Sequence, residues 1–152
     1  MKRLITKYPC RGLIMFLVIL ITGCIRPYTP DIVLKKDGQP CISIPSNEDF
    51  FRRQKEFNIL GLDVYQTGVG ELWSKNFLDS KNYYYVKNQQ CLYFNYKFQT
   101  NILYDIGFFS TEKGDEENRK STKKVWMRYM RIIKKSDGTL QLLLDEEARD
   151  YS

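Results

Sequence analysis

The sequence contains no histidine among its 152 residues. This absence excludes Ser-His and Cys-His catalytic pairs, metal sites ligated by histidine, and the H-E-x-x-H helix of metalloproteases. Catalysis by paired carboxylates or by a Ser-Lys pair stays possible. The composition therefore favours a small folded module that binds another molecule, without a metal, a cofactor or a small-molecule substrate.

Long apolar runs are also scarce. The longest, residues 13–22 (LIMFLVILIT), is about ten residues long, whereas a membrane-spanning helix needs roughly 18 or more. Four basic residues and no acidic one precede it, which is the layout of a secretory signal. We expect residues 1–23 to be a cleaved signal peptide, with an uncleaved apolar anchor as the alternative.

Removal of the signal changes the charge balance of the chain. Without residues 1–23, 20 basic residues face 18 acidic ones, so the net charge falls from +6 to +2. Most of the basic pI of about 9.1 therefore belongs to the signal. Because the remaining chain has little excess of positive charge, no nucleic-acid partner is expected.

The mature chain has the sequence pattern of strands. Aromatic residues make up 14% of the chain, which is typical of packed strands and unusual in disordered chains. Alternation with period two predicts strands over residues 57–65, 92–98, 102–108, 125–133 and 140–144. Short runs at 32–34 and 41–44 predict a hairpin or corner, and 71–77 is expected to be a partner strand for 57–65. In residues 57–65, Leu60, Leu62 and Val64 are expected to share one face. Seven or eight strands favour a two-sheet antiparallel immunoglobulin-like sandwich over residues 31–145, with a small barrel as the alternative.

The segments between these strands lack such a pattern. Residues 24–30 are expected to be a short tether, and residues 111–124 a surface loop. Residues 46–57 are expected to be a loop, with a short helix over residues 50–57, capped by Ser46 and Asp49, as the alternative. The acidic residues 146–152 are expected to be a frayed tail.

The residues directly after the apolar run resemble the lipobox of bacterial lipoproteins: Ile21-Thr22-Gly23-Cys24. The resemblance implies that the chain is cut between Gly23 and Cys24 and that Cys24 carries a diacylglyceryl group. With the freed amine acylated as well, two or more acyl chains give a stable membrane anchor. Ile25 stands where an Asp would retain a Gram-negative lipoprotein in the inner membrane, which implies the inner leaflet of the outer membrane, facing the periplasm.

Two of the four cysteines remain free for pairing. Cys10 leaves with the signal and Cys24 is lipidated, so Cys41 and Cys91 remain in an oxidising compartment. Two thiols suffice for one disulfide bond, and two buried free thiols are the alternative. The pair supplies only half of a zinc site and lacks the C-x-x-C spacing of redox motifs.

A wider set of features resembles the enterobacterial type VI secretion immunity periplasmic lipoproteins. They are the lipobox, Pro27 and Pro30 in the tether, Cys41-Ile42-Ser43-Ile44-Pro45, Leu72-Trp73, and Cys91 to Phe98 followed by Tyr104-Asp105-Ile106. The sequence departs from the family at Leu92-Tyr93, where Ile-Pro is expected. The resemblance implies a protein that binds a toxin delivered by neighbouring cells and blocks it without turnover.

An inhibitor of this kind needs exposed aromatic side chains at the centre of its interface. Candidate anchors are Trp73, Tyr84 with its neighbours Tyr83 and Tyr85, Phe109 and Trp126, and a candidate charge patch is Arg119, Lys120, Lys123 and Lys124. Each aromatic residue can instead face the core of the sandwich, and the basic residues can instead form a solvated loop.

The sequence is also compatible with two other functional classes, an accessory lipoprotein and an enzyme. A structural or accessory outer-membrane lipoprotein of an envelope or secretion assembly would carry the same signal and a similar sandwich. Two S-x-x-K sequences, beginning at Ser110 and Ser121, match the nucleophile spacing of penicillin-binding proteins. No K-T-G follows them and neither begins a convincing helix, so the protein is expected not to be an enzyme.

Overall fold

A computed structural model describes residues 27–49, 55–78, 83–114 and 123–151. The predicted signal peptide, its cleavage site at Gly23 and the predicted lipidation at Cys24 lie outside these ranges. Eight strands fill most of the described chain: β1 Asp31–Leu34, β2 Pro40–Ser43, β3 Glu56–Gln66, β4 Gly70–Asn76, β5 Tyr84–Lys87, β6 Tyr104–Glu112, β7 Lys124–Lys134 and β8 Leu140–Leu144. A 3₁₀ helix at Ser46–Asp49 and a C-terminal α-helix at Asp145–Asp150 are short. Within the described ranges, no helix has the length and apolar character needed to cross a membrane.

The strands form two antiparallel sheets. β1 and β2 pair in a two-stranded sheet, and the other six strands form a sheet in the order β4-β3-β6-β7-β8. β3 is long enough to hold two neighbours on one edge, since its first residues pair with β5 and its later residues pair with β4. The prediction of an all-β, two-sheet antiparallel sandwich is confirmed.

One apolar core lies between the two sheets. Ile32 and Ile42 of the small sheet pack in the same cluster as Tyr104, Ile106 and Phe108 of the large one. These three residues of β6 alternate with less buried neighbours, as the period of two predicts. The face of the six-stranded sheet that carries them is called the inner face, and the opposite face is called the outer face.

An extended segment adds to the layer formed by β1 and β2. The amide of Leu92 donates to the carbonyl of Ile42 over 2.8 Å, and the amide of Gln89 donates to the carbonyl of Ile44 over 2.9 Å. Leu92 and Phe98 are buried and their side chains alternate with exposed ones. The prediction of a strand over residues 92–98 is nevertheless wrong, because the backbone there does not form a ladder with a neighbour.

A disulfide bond fixes this segment to the small sheet. Cys41 of β2 is bonded to Cys91, 50 residues further along the chain, and their Cα atoms are 5.0 Å apart. The predicted pairing is confirmed. The bond lies beside the Leu92 to Ile42 hydrogen bond, so covalent and backbone contacts hold the same two pieces of chain together.

A β-bulge changes the direction of one predicted core residue. The pairing of β3 with β6 shifts register between Ile59 and Gly61, which makes Leu60 the extra residue. A bulge turns the side chain of its extra residue out of the regular alternation. Leu60 is buried but does not belong to the core cluster that contains Leu62 and Val64. The prediction that Leu60 shares a face with Leu62 and Val64 is therefore wrong.

The N-terminal end of the described chain is attached to β7. The amide of Tyr28 donates to Val125 over 2.7 Å, and the amide of Met127 donates to Tyr28 over 3.0 Å. An Nη1 group of Arg128 also donates to the carbonyl of Pro30 over 2.9 Å. Residues 27–30 are therefore part of the fold, and the prediction of a simple tether is wrong for them.

The C-terminal end is also ordered by packing. Ala148 of the C-terminal helix is fully buried and clusters with Ile133 of β7 and Leu143 of β8. These contacts lie on the outer face, at the β7–β8 end of the sheet. The expected frayed tail is therefore wrong for the helical residues, because Ala148 packs against the sheet and Asp145 pairs with Arg128 of β7.

Candidate functional site

The C-terminal helix covers one end of the outer face, and Asn58 of β3 and Thr111 of β6 are also buried on that face. Its central part consists of residues whose side-chain positions alternate with the core residues of β3, β6 and β7: Asp63, Tyr65, Asp105, Gly107, Phe109 and Met127. This group is called the open face. Tyr65 is 41% exposed and Met127 is 42% exposed, so large side chains remain accessible on it.

Strand register sets the arrangement of polar groups on the open face. Asp63 is paired with Gly107, and Tyr65 is paired with Asp105. The tyrosine hydroxyl donates to a carboxylate oxygen of Glu71 over 3.2 Å, and the Ser74 hydroxyl donates to the other over 2.7 Å. Glu71 is thus held at the β4 side of the open face by two hydroxyl groups.

Both aspartates have raised pKa values. Burial raises the pKa of Asp63, the nearby charge of Glu71 raises it further, and Lys123 opposes these effects. Burial also raises the pKa of Asp105. One carboxylate oxygen of Asp105, Oδ1, is buried and has no hydrogen-bond partner among the described residues. Each charge is partly withdrawn from water, which disfavours its ionised form.

A groove runs beside the open face, at the bulge of β3. It has a volume of about 240 Å³, below the roughly 300–1,000 Å³ that is usual for small-molecule pockets. Leu60, which the bulge turns away from the core, lines it together with Phe109. The other lining residues are Gly61, Asp63, Ser74, Lys75, Asn76, Leu78 and Lys123. A space of this size suits one side chain of a protein partner better than a whole metabolite.

Among the candidate anchors Trp73, Tyr84, Phe109 and Trp126, only Phe109 lies on the outer face; Tyr85, beside Tyr84, also lies there through its pairing with Asn58 of β3. Phe109 is partly buried, and the ammonium group of Lys123 lies 4.1 Å from the centre of its ring. An apolar ring with a cation above it is an amphipathic contact surface. Phe109 belongs both to the open face and to the wall of the groove.

Trp126 is not a surface anchor, and this prediction is wrong. Its side chain is fully buried on the inner face, stacked on Phe108 with 5.4 Å between ring centres. The indole Nε1 donates to the Ser110 hydroxyl over 2.9 Å. The strand pattern could not separate the two faces at this position, because Trp126 and its neighbour Met127 are both apolar.

Trp73 and Tyr84 lie at the margin of the core, each partly buried. The Trp73 ring is 5.7 Å from that of Phe94, and the Tyr84 ring is 5.0 Å from that of Phe77. The Tyr84 hydroxyl also accepts a hydrogen bond from the amide of Tyr93 over 2.9 Å. Both residues pack against the core cluster. Their contacts account for them within the fold, and the structure does not bring them together with Phe109 on one surface.

The predicted basic patch lies partly outside the described ranges, as Arg119 and Lys120 do. Lys123 contributes to the groove, whereas Lys124 lies 4.0 Å from a carboxylate oxygen of Glu112. Ser110, the first residue of one S-x-x-K sequence, is buried, and its hydroxyl accepts the Trp126 hydrogen bond. Lys113 of the same sequence pairs with Glu56. The structure therefore explains Ser110 as a buried polar partner of an indole ring.

Sequence reasoning missed the carboxylates of the open face. Asp63 and Asp105 each occupy the polar side of an alternating strand, where a charged residue is ordinary. The available signal was Gly107, since glycine inside a strand weakens it and often marks a close approach. Across the described ranges, no group of three or more Cys, Asp or Glu side chains is placed to hold a metal ion.

Comparison with known families gives one match. Residues 27–135 match a family described as a domain of unknown function (DUF7480). No curated protein matches the chain, and no solved structure matches it. The matched residues include every strand that contributes to the open face and the groove. Because the match covers more than half of the sequence, the chain belongs to the DUF7480 family.

Proposed function

We propose that this chain is a periplasm-facing lipoprotein that binds and neutralises a toxin delivered by type VI secretion. It acts without catalysis, from the inner leaflet of the outer membrane, where a lipid on Cys24 holds it. The proposal draws its compartment from the lipobox sequence at Ile21–Cys24. The Cys41–Cys91 bond supports the same compartment, because disulfide bonds persist in the periplasm and are rare in the cytosol.

The open face with its adjoining groove is the observation that carries the proposal. It combines aromatic and polar side chains on the regular strands of one sheet, and such a surface changes little in shape on binding. Tyrosine, phenylalanine and methionine are enriched in the buried centres of interfaces. The face and groove extend over β4, β3, β6 and β7, about 14 Å at the usual strand spacing.

Inhibition needs only occlusion of the toxin. A partner seated on the open face would fill the groove beside Phe109 with one of its side chains and would lose access to its own target. A standard interface buries about 800 Å² on each partner, so the contact must continue beyond the open face to neighbouring loops. Such a complex requires no chemical step from the lipoprotein.

Survival of a susceptible Gram-negative cell tests the proposal. The full chain is co-expressed with the periplasm-directed product of the gene beside its own, and survival is compared with that of cells lacking the chain. Protection together with direct nanomolar binding of the two purified proteins is the expected result. Absence of both protection and binding would contradict the proposal and favour an accessory lipoprotein of an envelope assembly.

The matched control separates anchoring from binding. Cys24→Ser removes the proposed lipid attachment and leaves every described residue unchanged. The purified variant, produced without its signal, is expected to bind the toxin as the wild type does. Weaker protection by the unanchored protein in cells, with equal affinity in solution, would show that the membrane location matters.

A further inference from the structure

Two separate pieces of chain complete one edge of β7. β6 pairs with residues 124–130 along the other edge, and β8 pairs with residues 130–134 along this one. Nearer the start of β7, Tyr28 forms a parallel bridge with Trp126. Because β6 occupies the other edge there, Tyr28 must lie on the β8 side. Residues 27–30 and the C-terminal part of the chain therefore meet along a single strand.

Arg128 lies where these two pieces meet. Its Nη1 group donates to the carbonyl of Pro30 over 2.9 Å. Its Nε group donates to the carboxylate oxygen Oδ2 of Asp145 over 3.0 Å, and its Nη2 atom lies 3.0 Å from the same oxygen. One guanidinium group thus binds both pieces at once. Its planar fork of five N–H donors suits this task, whereas lysine offers a single ammonium group.

Burial links the two contacts of the guanidinium group. The Arg128 side chain is only 20% exposed. A largely buried charge is costly unless it is paired. Without the Asp145 carboxylate, the cation would keep only the neutral Pro30 carbonyl as an acceptor among the described residues. We expect the guanidinium group then to turn toward water and to release Pro30 as well.

The C-terminal helix depends on the same contact. Asp145, its first residue, has a φ of +52°, in the left-handed region that few residues other than glycine adopt. The helix is six residues long and has no side-chain hydrogen bond at its N-cap, Leu144. Helices this short are unstable without tertiary contacts. Ala148, packed on Ile133 and Leu143, and the ion pair of Asp145 supply those contacts.

We propose that Arg128 is a clamp through which docking of the C-terminal helix holds residues 27–30 on β7. A partner that displaced the helix would then free Tyr28, Thr29 and Pro30 from the sheet. The connection to the proposed lipid on Cys24 would gain these three residues, about 10 Å at full extension. The clamp itself does not depend on the proposed immunity function, whereas this change in reach depends on the proposed lipid anchor.

Amide hydrogen exchange detects the clamp directly. The Tyr28 amide donates to the backbone of β7, and the Met127 amide donates to the Tyr28 carbonyl. The test uses the chain from residue 24 onward with Cys24→Ser, so that no lipid is attached. Asp145→Gly removes the carboxylate without straining the backbone, since glycine adopts a positive φ freely. Exchange at both amides is expected to rise at least tenfold, while the amides between β3 and β6 exchange as in the wild type. Glu146→Gln, at an exposed position of the same helix, is the matched control and is expected to leave all these rates unchanged.

A second variant tests the helix instead of the ion pair. Ala148 is fully buried, so Ala148→Glu should undock the helix from the sheet while both partners of the ion pair remain. The same two amides are expected to exchange at least tenfold faster. In the Arg128→Lys background these rates should already be raised, and Ala148→Glu should raise them no further, because the coupling passes through one guanidinium group.

The possible results decide the proposal. Faster exchange at Tyr28 and Met127 in both Asp145→Gly and Ala148→Glu, with Glu146→Gln unaffected, would support the clamp. Wild-type exchange at these amides in either variant, or an equal rise in Glu146→Gln, would overturn it. A uniform rise across the sheet would also overturn it, because the variants would then have lowered global stability. Absence of protection in the survival assay would contradict the immunity function alone and would leave the exchange result unchanged.

Discussion

Loss of the Cys41–Cys91 bond should destabilise the domain strongly, and the size of the effect follows from the length of the loop that the bond closes. The bonded residues are 50 positions apart. In the chain-entropy treatment, closing a loop of this length removes denatured-state entropy worth about 4 kcal/mol at 25 °C. For a domain of this size, that free energy corresponds to a fall in melting temperature of roughly 15 °C.

The two ends of the bond differ in their surroundings, which gives the prediction an internal check. Cys41 is buried and Cys91 is exposed. Cys41→Ala therefore removes some packing in addition to the bond, whereas Cys91→Ala removes the bond almost alone. We expect Cys41→Ala to be the slightly less stable of the two, with the double variant little worse than Cys41→Ala.

Urea unfolding and thermal melts followed by circular dichroism provide the measurement. Both are performed on the domain without its signal, with reductant present for the single variants so that the free thiol stays unpaired. Wild-type protein reduced under the same conditions is the matched control. Fully additive losses in the double variant, or a combined loss of less than about 1 kcal/mol, would refute the reasoning, because independent sites add and a shared bond does not.

Three further outcomes are expected. Trp126→Ala should lower the free energy of unfolding by about 3–5 kcal/mol, as for large buried aromatics, and a loss below 1 kcal/mol by urea unfolding would contradict its place in the core. The wild-type free energy of unfolding should fall as pH rises from about 4 through the raised pKa values of Asp63 and Asp105, because the folded state holds their protons more tightly than the unfolded state does. The double variant D63N/D105N should lack this fall. Identical pH profiles of the two proteins in urea titrations would count against the burial of these carboxylates. Cys24→Ser should give protein that mass spectrometry finds unlipidated and that fractionates away from membranes, whereas a lipidated mass with full membrane attachment would rule out the lipobox interpretation.

Local pattern predicted the parts of the fold that depend on neighbouring residues. The alternation in β6 concerns contacts within a few residues, and it was visible in the sequence. The bulge at Leu60 was not, because it arises where β3 changes partner from β5 to β4. The segment at 92–98 alternates like a strand but lacks a neighbour to complete a ladder.

The candidate site was predictable only in part, for the same reason. Phe109 and Lys123 were identifiable as an aromatic and a basic residue in adjacent parts of the sequence, although their contact depends on the pairing of β6 with β7. Asp63 and Asp105 are far apart in sequence, and only the register of β3 on β6 places them on one face of the sheet. Trp126 was assigned to the wrong face, because residue type alone could not distinguish a core aromatic from an exposed one.

The attachment of Tyr28 to β7 determines how far the domain of the proposed lipoprotein could move from the membrane. Only residues 25–27 separate Cys24 from Tyr28, so a fully extended connection spans at most about 14 Å. With so short a connection to its lipid anchor, the domain would stay within a thin layer next to the membrane. Its local concentration in that layer would be high, and elsewhere in the periplasm it would be absent. A toxin whose target lies at the outer membrane would meet the inhibitor on arrival, whereas one that acts deeper would have to be intercepted as it enters.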